Sequence, residues 1–205
     1  MSEFEGFILA GGASSRMGRD KARLQLGDKT FVAHIAEELH AITPRVSVVS
    51  ARPDSADMHL PVVPDIFLAC GALGGLHAAL ASCRAVWAIV ISCDLPFVTG
   101  DLLARLATFI APELDAIAPV QRDGRVQPLC AIYRTDVCLA RAEQLLAAGE
   151  RRPRVLLQQV RTRFVAPDEL NDLPNNDLWW LNINTPADFA RAQEIIEQRL
   201  ESRDH

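Results

Sequence analysis

Short apolar runs alternate with helix-period segments along almost the whole chain, and this alternation is what most constrains the fold. The runs are Gly6–Ala10, Arg45–Ser50, Leu60–Val63, Val86–Ser92, Asp115–Val120, Leu129–Arg134, Arg163–Ala166 and Trp179–Ile183, each a predicted strand. Val86–Ser92 has the apolar core expected of a central strand buried on both faces. Between the runs, Phe31, Ile35 and Leu39 share one helical face, as do Leu73, Leu76, Leu80 and Cys83, and Leu102, Leu106, Phe109 and Ile110. A final helix is marked by Thr185 as cap, Pro186 in the first turn and Asp188 three residues past the cap, with Phe189, Ala192 and Ile196 toward the core. Strands alternating with helices predict βαβ units: an α/β chain in three layers, with a mostly parallel central sheet flanked by helices. Ligands of such sheets bind beyond the carboxyl ends of the strands.

A chain of 205 residues with 49% hydrophobic residues suits one domain over residues 1–205. The formal net charge of −5 argues against general nucleic-acid binding, so any polyanion site must be a local basic pocket. Arg16, Arg19, Lys21 and Arg23 are the candidates for one. No apolar run approaches a membrane span, and the acidic N-terminus lacks a signal-peptide pattern. The five cysteines are scattered without a C-x-x-C pair, which predicts reduced thiols in a cytoplasmic protein rather than disulfides or a zinc site. The five histidines show no ligand spacing and are expected as surface or capping residues.

The first run leads into Leu9-Ala-Gly-Gly-Ala-Ser-Ser-Arg-Met-Gly-Arg-Asp-Lys21. Strand, glycine turn, basic loop and helix form the layout of a phosphate cradle. Gly11 and Gly12 leave the backbone open to an anion, and loop N–H groups can converge on it. Arg16 and Lys21 add full charge, Arg as a fork and Lys as a point charge. Neither a Walker loop nor G-x-G-x-x-G is present. As residues alone, Gly-Gly with two later basic residues also fits a solvated turn.

Asp94, in Ile91-Ser-Cys-Asp-Leu-Pro96, places a carboxylate just past the central run. A hard oxygen there suits Mg²⁺, which takes one or two protein carboxylates plus phosphate oxygens and waters; a turn-forming Asp before Pro96 is the plainer alternative. Asp65 follows another short run and reads locally as a turn former. Gly71-Ala-Leu-Gly-Gly-Leu76 opens a helix through a second glycine turn, fit for close approach of a ligand or for turn geometry alone. Asn182 and Asn184 alternate on a predicted strand and so share a face, where they orient a ligand or shape the turn into the last helix.

Taken together, LAGG-x3-RMG-x-DK, C-D-x-P and N-x-N-T-P resemble the signatures of the nucleotidyltransferase superfamily. Within it, the chain is similar to the molybdenum-cofactor guanylyltransferase family. The resemblance runs from Leu9 to about Phe189 and is thinnest over Asp115–Val160. It implies a Rossmann-like nucleotidyltransferase fold whose N-terminal half binds nucleotide and whose C-terminal half binds molybdopterin. The implied reaction moves GMP from GTP to the terminal phosphate of molybdopterin and releases pyrophosphate. Implied catalytic residues are Arg16 and Lys21, on the triphosphate and departing pyrophosphate, and Asp94, the ligand of Mg²⁺. Leu9, Ala10, Gly11, Gly12, Ser50 and Asp65 are implied at the nucleotide, and Asn182 and Asn184 at the pterin, a phosphate or the metal. Gly149-Glu-Arg-Arg152 also recurs in the resembled enzymes, its arginines facing either the pterin phosphate or solvent.

The chain departs from the pattern at Ser50, where many relatives carry Asn, and at Ala72, where Pro is usual. Gly11 matches the guanosine-using L-A-G-G rather than the cytidine-using L-A-A-G. A molybdopterin cytidylyltransferase, a sugar-1-phosphate nucleotidyltransferase and a non-catalytic nucleotide-binding module are the competing readings. The resemblance also implies contacts with cofactor-insertion proteins and molybdoenzyme chaperones, while the sequence leaves the oligomeric state open, a monomer being slightly favoured.

Overall fold

The computed structural model describes residues 3–10, 24–51, 59–65, 67 and 70–201. In chain order, β1 (Phe4–Leu9) precedes a small hairpin of β2 (Gln25–Leu26) and β3 (Lys29–Thr30), which leads into α1 (Phe31–His40). Next come β4 (Val46–Ser50), β5 (Val62–Pro64), α2 (Gly71–Ser82), β6 (Trp87–Ser92) and α3 (Gly100–Ala107). The second half holds β7 (Ala116–Pro119), β8 (Cys130–Arg134), α4 (Thr135–Ala147), α5 (Pro153–Gln159), β9 (Thr162–Val165) and α6 (Pro186–Glu201). Among the described residues the main sheet has seven strands in the order β5-β4-β1-β6-β8-β7-β9. Strand β8 runs antiparallel to both neighbours, and the remaining pairs are parallel.

The period-2 alternation of the strands builds the three layers. Ile8, Val48, Ile89, Ile91, Ile117 and Ile132 face α1 and α3, where they meet Val32, Ile35, Leu39, Leu102, Leu103 and Leu106. The intervening residues, Phe7, Leu9, Ala88, Val90, Ala116, Ala118 and Ala131, face α2, α4 and α5. The second face is rich in small residues, and α2 answers with Gly74, Gly75, Ala78 and Ala79, so helix and sheet approach closely. A Cβ on Gly75 would lie 3.6 Å from Leu9 Cδ1, in ordinary contact. A third cluster joins the hairpin to α6 through Leu26, Phe31, Ile183 and Ala192.

The capping box read at α6 is present: the Thr185 hydroxyl accepts from the Asp188 amide at 3.2 Å, and the Asp188 carboxylate accepts from the Thr185 amide at 2.8 Å. All five cysteines are free. Among the described residues no helix is long and apolar enough to cross a membrane.

Seven of the eight predicted runs are strands of this sheet, with ends shifted by a residue or two. The eighth, Trp179–Ile183, is not a strand. It passes the end of β6, whose two edges are already paired with β1 and β8, so no free edge remains there. Of its amides, Leu181 N–H donates to the nearby Leu178 carbonyl and Ile183 N–H to the Asp94 carbonyl past the end of β6, each at 3.0 Å. The shared-strand argument for Asn182 and Asn184 is therefore replaced. Ile183 between them is fully buried, Asn182 is half-buried and Asn184 exposed, so an in-out alternation survives without a ladder.

Candidate active site

The chain runs outward from β1 to β4 and β5, then returns through α2 to β6 on the other side of β1. Strand order reverses beside β1, and the crevice at the carboxyl ends of β1 and β6 is where such sheets take their ligands. The residues singled out from the sequence converge on that edge, linked by backbone hydrogen bonds. Asp65 N–H donates to the Ser50 carbonyl at 3.3 Å, and Ala10 N–H to Val49 at 2.9 Å. Cys93 N–H donates to Leu9 at 3.0 Å, and Ile183 N–H to Asp94 at 3.0 Å. Asp65, Ser50, Ala10, Leu9, Asp94 and the Asn182–Asn184 pair thus form one continuous row across the sheet end. Gly11, Gly12, Arg16 and Lys21 lie outside the described residues.

Asp94 is half-buried in the turn that follows β6, and its carboxylate has no protein partner among the described residues. Its anionic oxygens suit a hard cation, and Mg²⁺ needs only one or two such carboxylates when phosphate oxygens complete its shell. Among the described residues there is no cluster of three or more His, Cys, Asp or Glu side chains placed to form an all-protein cage. Asp94 could hold Mg²⁺ together with a bound phosphate.

Asp65 is also half-buried, and its Oδ1 accepts the Phe67 amide at 3.1 Å. Burial pushes its carboxyl up, while the Phe67 amide and the nearby His77 pull it back. Ser50 is buried, with 6% exposure. The second glycine turn opens α2 at the same edge, with Gly71 at φ +63°, in the left-handed region that favours glycine. Leu73 N–H donates to the Arg151 carbonyl at 3.3 Å, so the Gly149–Arg152 segment is docked on this helix start. Its arginines are held locally. Glu150 accepts the Arg151 and Arg152 amides at 2.8 and 2.9 Å and the Arg152 guanidinium at 2.8 and 2.6 Å. The Arg152 guanidinium in particular drives the Glu150 carboxyl down to about 2.

Two features escaped the sequence reading. The turn joining β7 to β8 opens at this same edge and carries Arg122, which donates to Asn171 Oδ1 at 3.2 Å, and Arg125, which pairs with Asp123. Asp123-Gly124 was its signal, with Gly124 at φ +81°. Second, His77 is not a surface or capping residue: it is 5% exposed, inside α2. Leu73, Leu76 and Leu80 had already placed position 77 on the apolar stripe.

Residues 6–164 match the family model of the MobA-like NTP transferase domain. The chain is 31% identical over 205 residues to a probable molybdenum cofactor guanylyltransferase of Pelotomaculum thermopropionicum, covering 99% of this chain and 98% of that one. It is 32% identical over 203 residues to a protein of the same description from Bacillus cereus, covering 96% and 98%. Among solved structures, molybdopterin-guanine dinucleotide biosynthesis protein A from Archaeoglobus fulgidus superposes with a TM-score of 0.79 at 24% identity, covering 95% of this chain and 99% of that one. The 4-diphosphocytidyl-2C-methyl-D-erythritol synthase of Anaerococcus prevotii shares the fold at a TM-score of 0.69 and 11% identity, covering 95% and 98%. With the family model spanning most of the chain and the row of site residues at the sheet's switch point, this protein belongs to the MobA-like family of nucleotidyltransferases.

Proposed function

We propose that the protein transfers GMP from GTP to the terminal phosphate of molybdopterin, forming molybdopterin guanine dinucleotide and pyrophosphate. The observation that carries this reading is the row from Asp65 through Ser50, Ala10 and Asp94 to Asn182–Asn184 at one sheet edge. A nucleotide and a phosphorylated acceptor have to meet on a single surface, and the row supplies one. The names of the relatives support the choice of guanosine and pterin.

The acceptor phosphate is already an anion near neutral pH, so no strong general base is required. The protein's task is to hold two anions in line and to offset the charge that develops. In this reading the backbone at Leu9–Gly12, with Ser50 and Asp65, seats the nucleoside. Arg16 and Lys21 bind the triphosphate and the departing pyrophosphate. Asn182 and Asn184, joined to the Asp94 loop through Ile183, orient the acceptor. Asp94 would hold Mg²⁺, which would supply positive charge to offset that of the phosphates. Residues 1–205 act as one domain, nucleotide in the N-terminal half and pterin in the C-terminal half. A cytoplasmic location and hand-over to cofactor-insertion proteins or molybdoenzyme chaperones go with this reading.

The test mixes purified protein, Mg²⁺, molybdenum-loaded molybdopterin and either GTP or CTP, and reads pyrophosphate and the dinucleotide. Turnover with GTP and not CTP is expected. Turnover with CTP keeps the reaction class and overturns the base assignment. No product from either nucleotide with intact pterin overturns the reading.

A further inference from the structure

His77 is deeply buried, yet among the described residues neither ring nitrogen has a hydrogen-bond partner. Glu143 Oε1 on α4 stands 3.6 Å from Nε2, within ion-pair range but beyond a hydrogen bond. A buried polar group left without hydrogen bonds is costly, so its retention calls for a reason. The imidazole also packs on Phe67: the rings meet edge-on, with centroids 4.7 Å apart and planes at 89°.

Phe67 is the residue whose amide the Asp65 carboxylate accepts. Its carbonyl accepts the Cys70 amide at 3.0 Å and lies 3.0 Å from where a Gly74 Cβ would stand. The segment is therefore clamped to α2 by its ring on His77 and by its carbonyl over Gly74, while its amide fixes the Asp65 carboxylate. Phe67 is 36% exposed, so its ring is only partly enclosed, and the imidazole is one of the groups it rests on.

We propose that His77 is a positioning residue for the nucleotide: through the Phe67 ring it fixes the turn that aims Asp65 along the row of site residues. This rests on the reading of Asp65 as a nucleotide contact. When the clamp is released, ordering Asp65 becomes a cost of binding rather than of folding. The consequence is weaker nucleotide binding with an unchanged chemical step.

The experiment uses the full chain with His77→Gln, with Phe67→Ala, which removes a partly exposed ring and spares the core, and with both. KM for GTP and kcat are measured at saturating acceptor, and amide hydrogen exchange at position 67 is measured without ligand. Each single variant is expected to raise KM about 5–10-fold with kcat within about twofold, and to speed exchange at position 67 by about tenfold or more. The double variant is expected to match the worse single one, because both changes break one contact. Unchanged KM and unchanged exchange in either single variant overturn the proposal. So does a fall in kcat that tracks the loss of folded protein at constant KM. If the wild type itself makes no product from GTP, the functional reading fails, and exchange at position 67 alone then decides whether His77 holds the turn.

Discussion

The Ile183 amide donates to the Asp94 carbonyl at 3.0 Å, and this one bond joins the two halves of the candidate site. Asp94 lies in the turn after β6, next to Cys93, whose amide donates to Leu9 at the end of β1. Ile183 is seated in the α6 cluster and carries an asparagine on either side. A carboxylate fit for a cation and a pair of amides fit for an acceptor are thus held in fixed relation by a backbone contact rather than by a flexible side chain.

Asp94→Ala and Lys21→Ala are each expected to lower turnover by at least about 100-fold, the scale for losing one preorganised partner of a developing charge. For Asp94 the argument rests on a half-buried carboxylate without a protein partner among the described residues, so its removal leaves none of those residues' groups unpaired. The variant is therefore expected to melt near the wild type. Steady-state pyrophosphate release together with a melting curve separates lost chemistry from lost fold. Near-wild-type turnover in either variant removes that residue from the mechanism.

Gly11→Ala tests the base. In the proposed reading Gly11 lies at the nucleoside, so a methyl group there is expected to shift preference from GTP toward CTP. The ratio of kcat/KM for the two nucleotides is the readout, and an unchanged ratio discredits assignment from this one position.

The layers were legible because strand period and helix period are local properties. Ile8, Ile89 and Ile117 alternate with Phe7, Ala88 and Ala116 whatever the rest of the chain does. Asp65 and Asp94 stood out because each lies two residues past an apolar run, at the end of the sheet where the strands β5 and β6 open. Trp179–Ile183 misled because Trp-Trp-Leu looks like a strand, whereas pairing depends on a free edge, and β1 and β8 had taken both edges of β6. The small hairpin before α1 was missed because each of its strands has only two residues, too few to show a period. Helix α4 was missed although Cys138, Ala142, Leu145 and Leu146 form its buried stripe, because two of the four are small and weakly apolar in appearance. The link from His77 to Phe67 and on to Asp65 depends on a loop folding back over a helix, and no local pattern encodes it.

At the opposite end of the sheet, Asp115 is 3% exposed and accepts the Arg161 guanidinium at 2.9 and 2.8 Å and its amide at 3.0 Å. These bonds, the guanidinium first, hold the Asp115 carboxyl below its ordinary range. Its folded pKa is below its unfolded one, so its contribution is complete above the ordinary carboxylate value near pH 4 and is lost as pH falls through the folded pKa. Arg161→Met is expected to lower the urea midpoint at pH 7, because it leaves the buried Asp115 carboxylate without its guanidinium partner. Urea unfolding of wild type and Asp115→Asn at several pH values checks the linkage. The gap between them should be largest near neutrality and should shrink below about pH 4. A gap that stays constant down to pH 2 would sink the assignment.

Gly74 and Gly75 are neighbours in α2, and replacing each with alanine is expected to have opposite effects. Alanine in place of a helical glycine gains about 1 kcal/mol of helix propensity. At Gly75 the added methyl lies 3.6 Å from Leu9 Cδ1, an ordinary contact, so Gly75→Ala should keep that gain and raise the urea midpoint. At Gly74 the methyl lies 3.0 Å from both the Phe67 carbonyl oxygen and Cys70 Cβ. Neither atom is the far end of a flexible chain, so the backbone has to move, and overpacking of that kind costs about 1–3 kcal/mol. The cost outweighs the propensity gain, so Gly74→Ala should lower the midpoint, with a net loss of about 1 kcal/mol. It should also raise KM for GTP, because the carbonyl it displaces belongs to the residue that fixes Asp65. Equal stabilisation by the two alanines would show that the Phe67 carbonyl does not pack against α2 in this way.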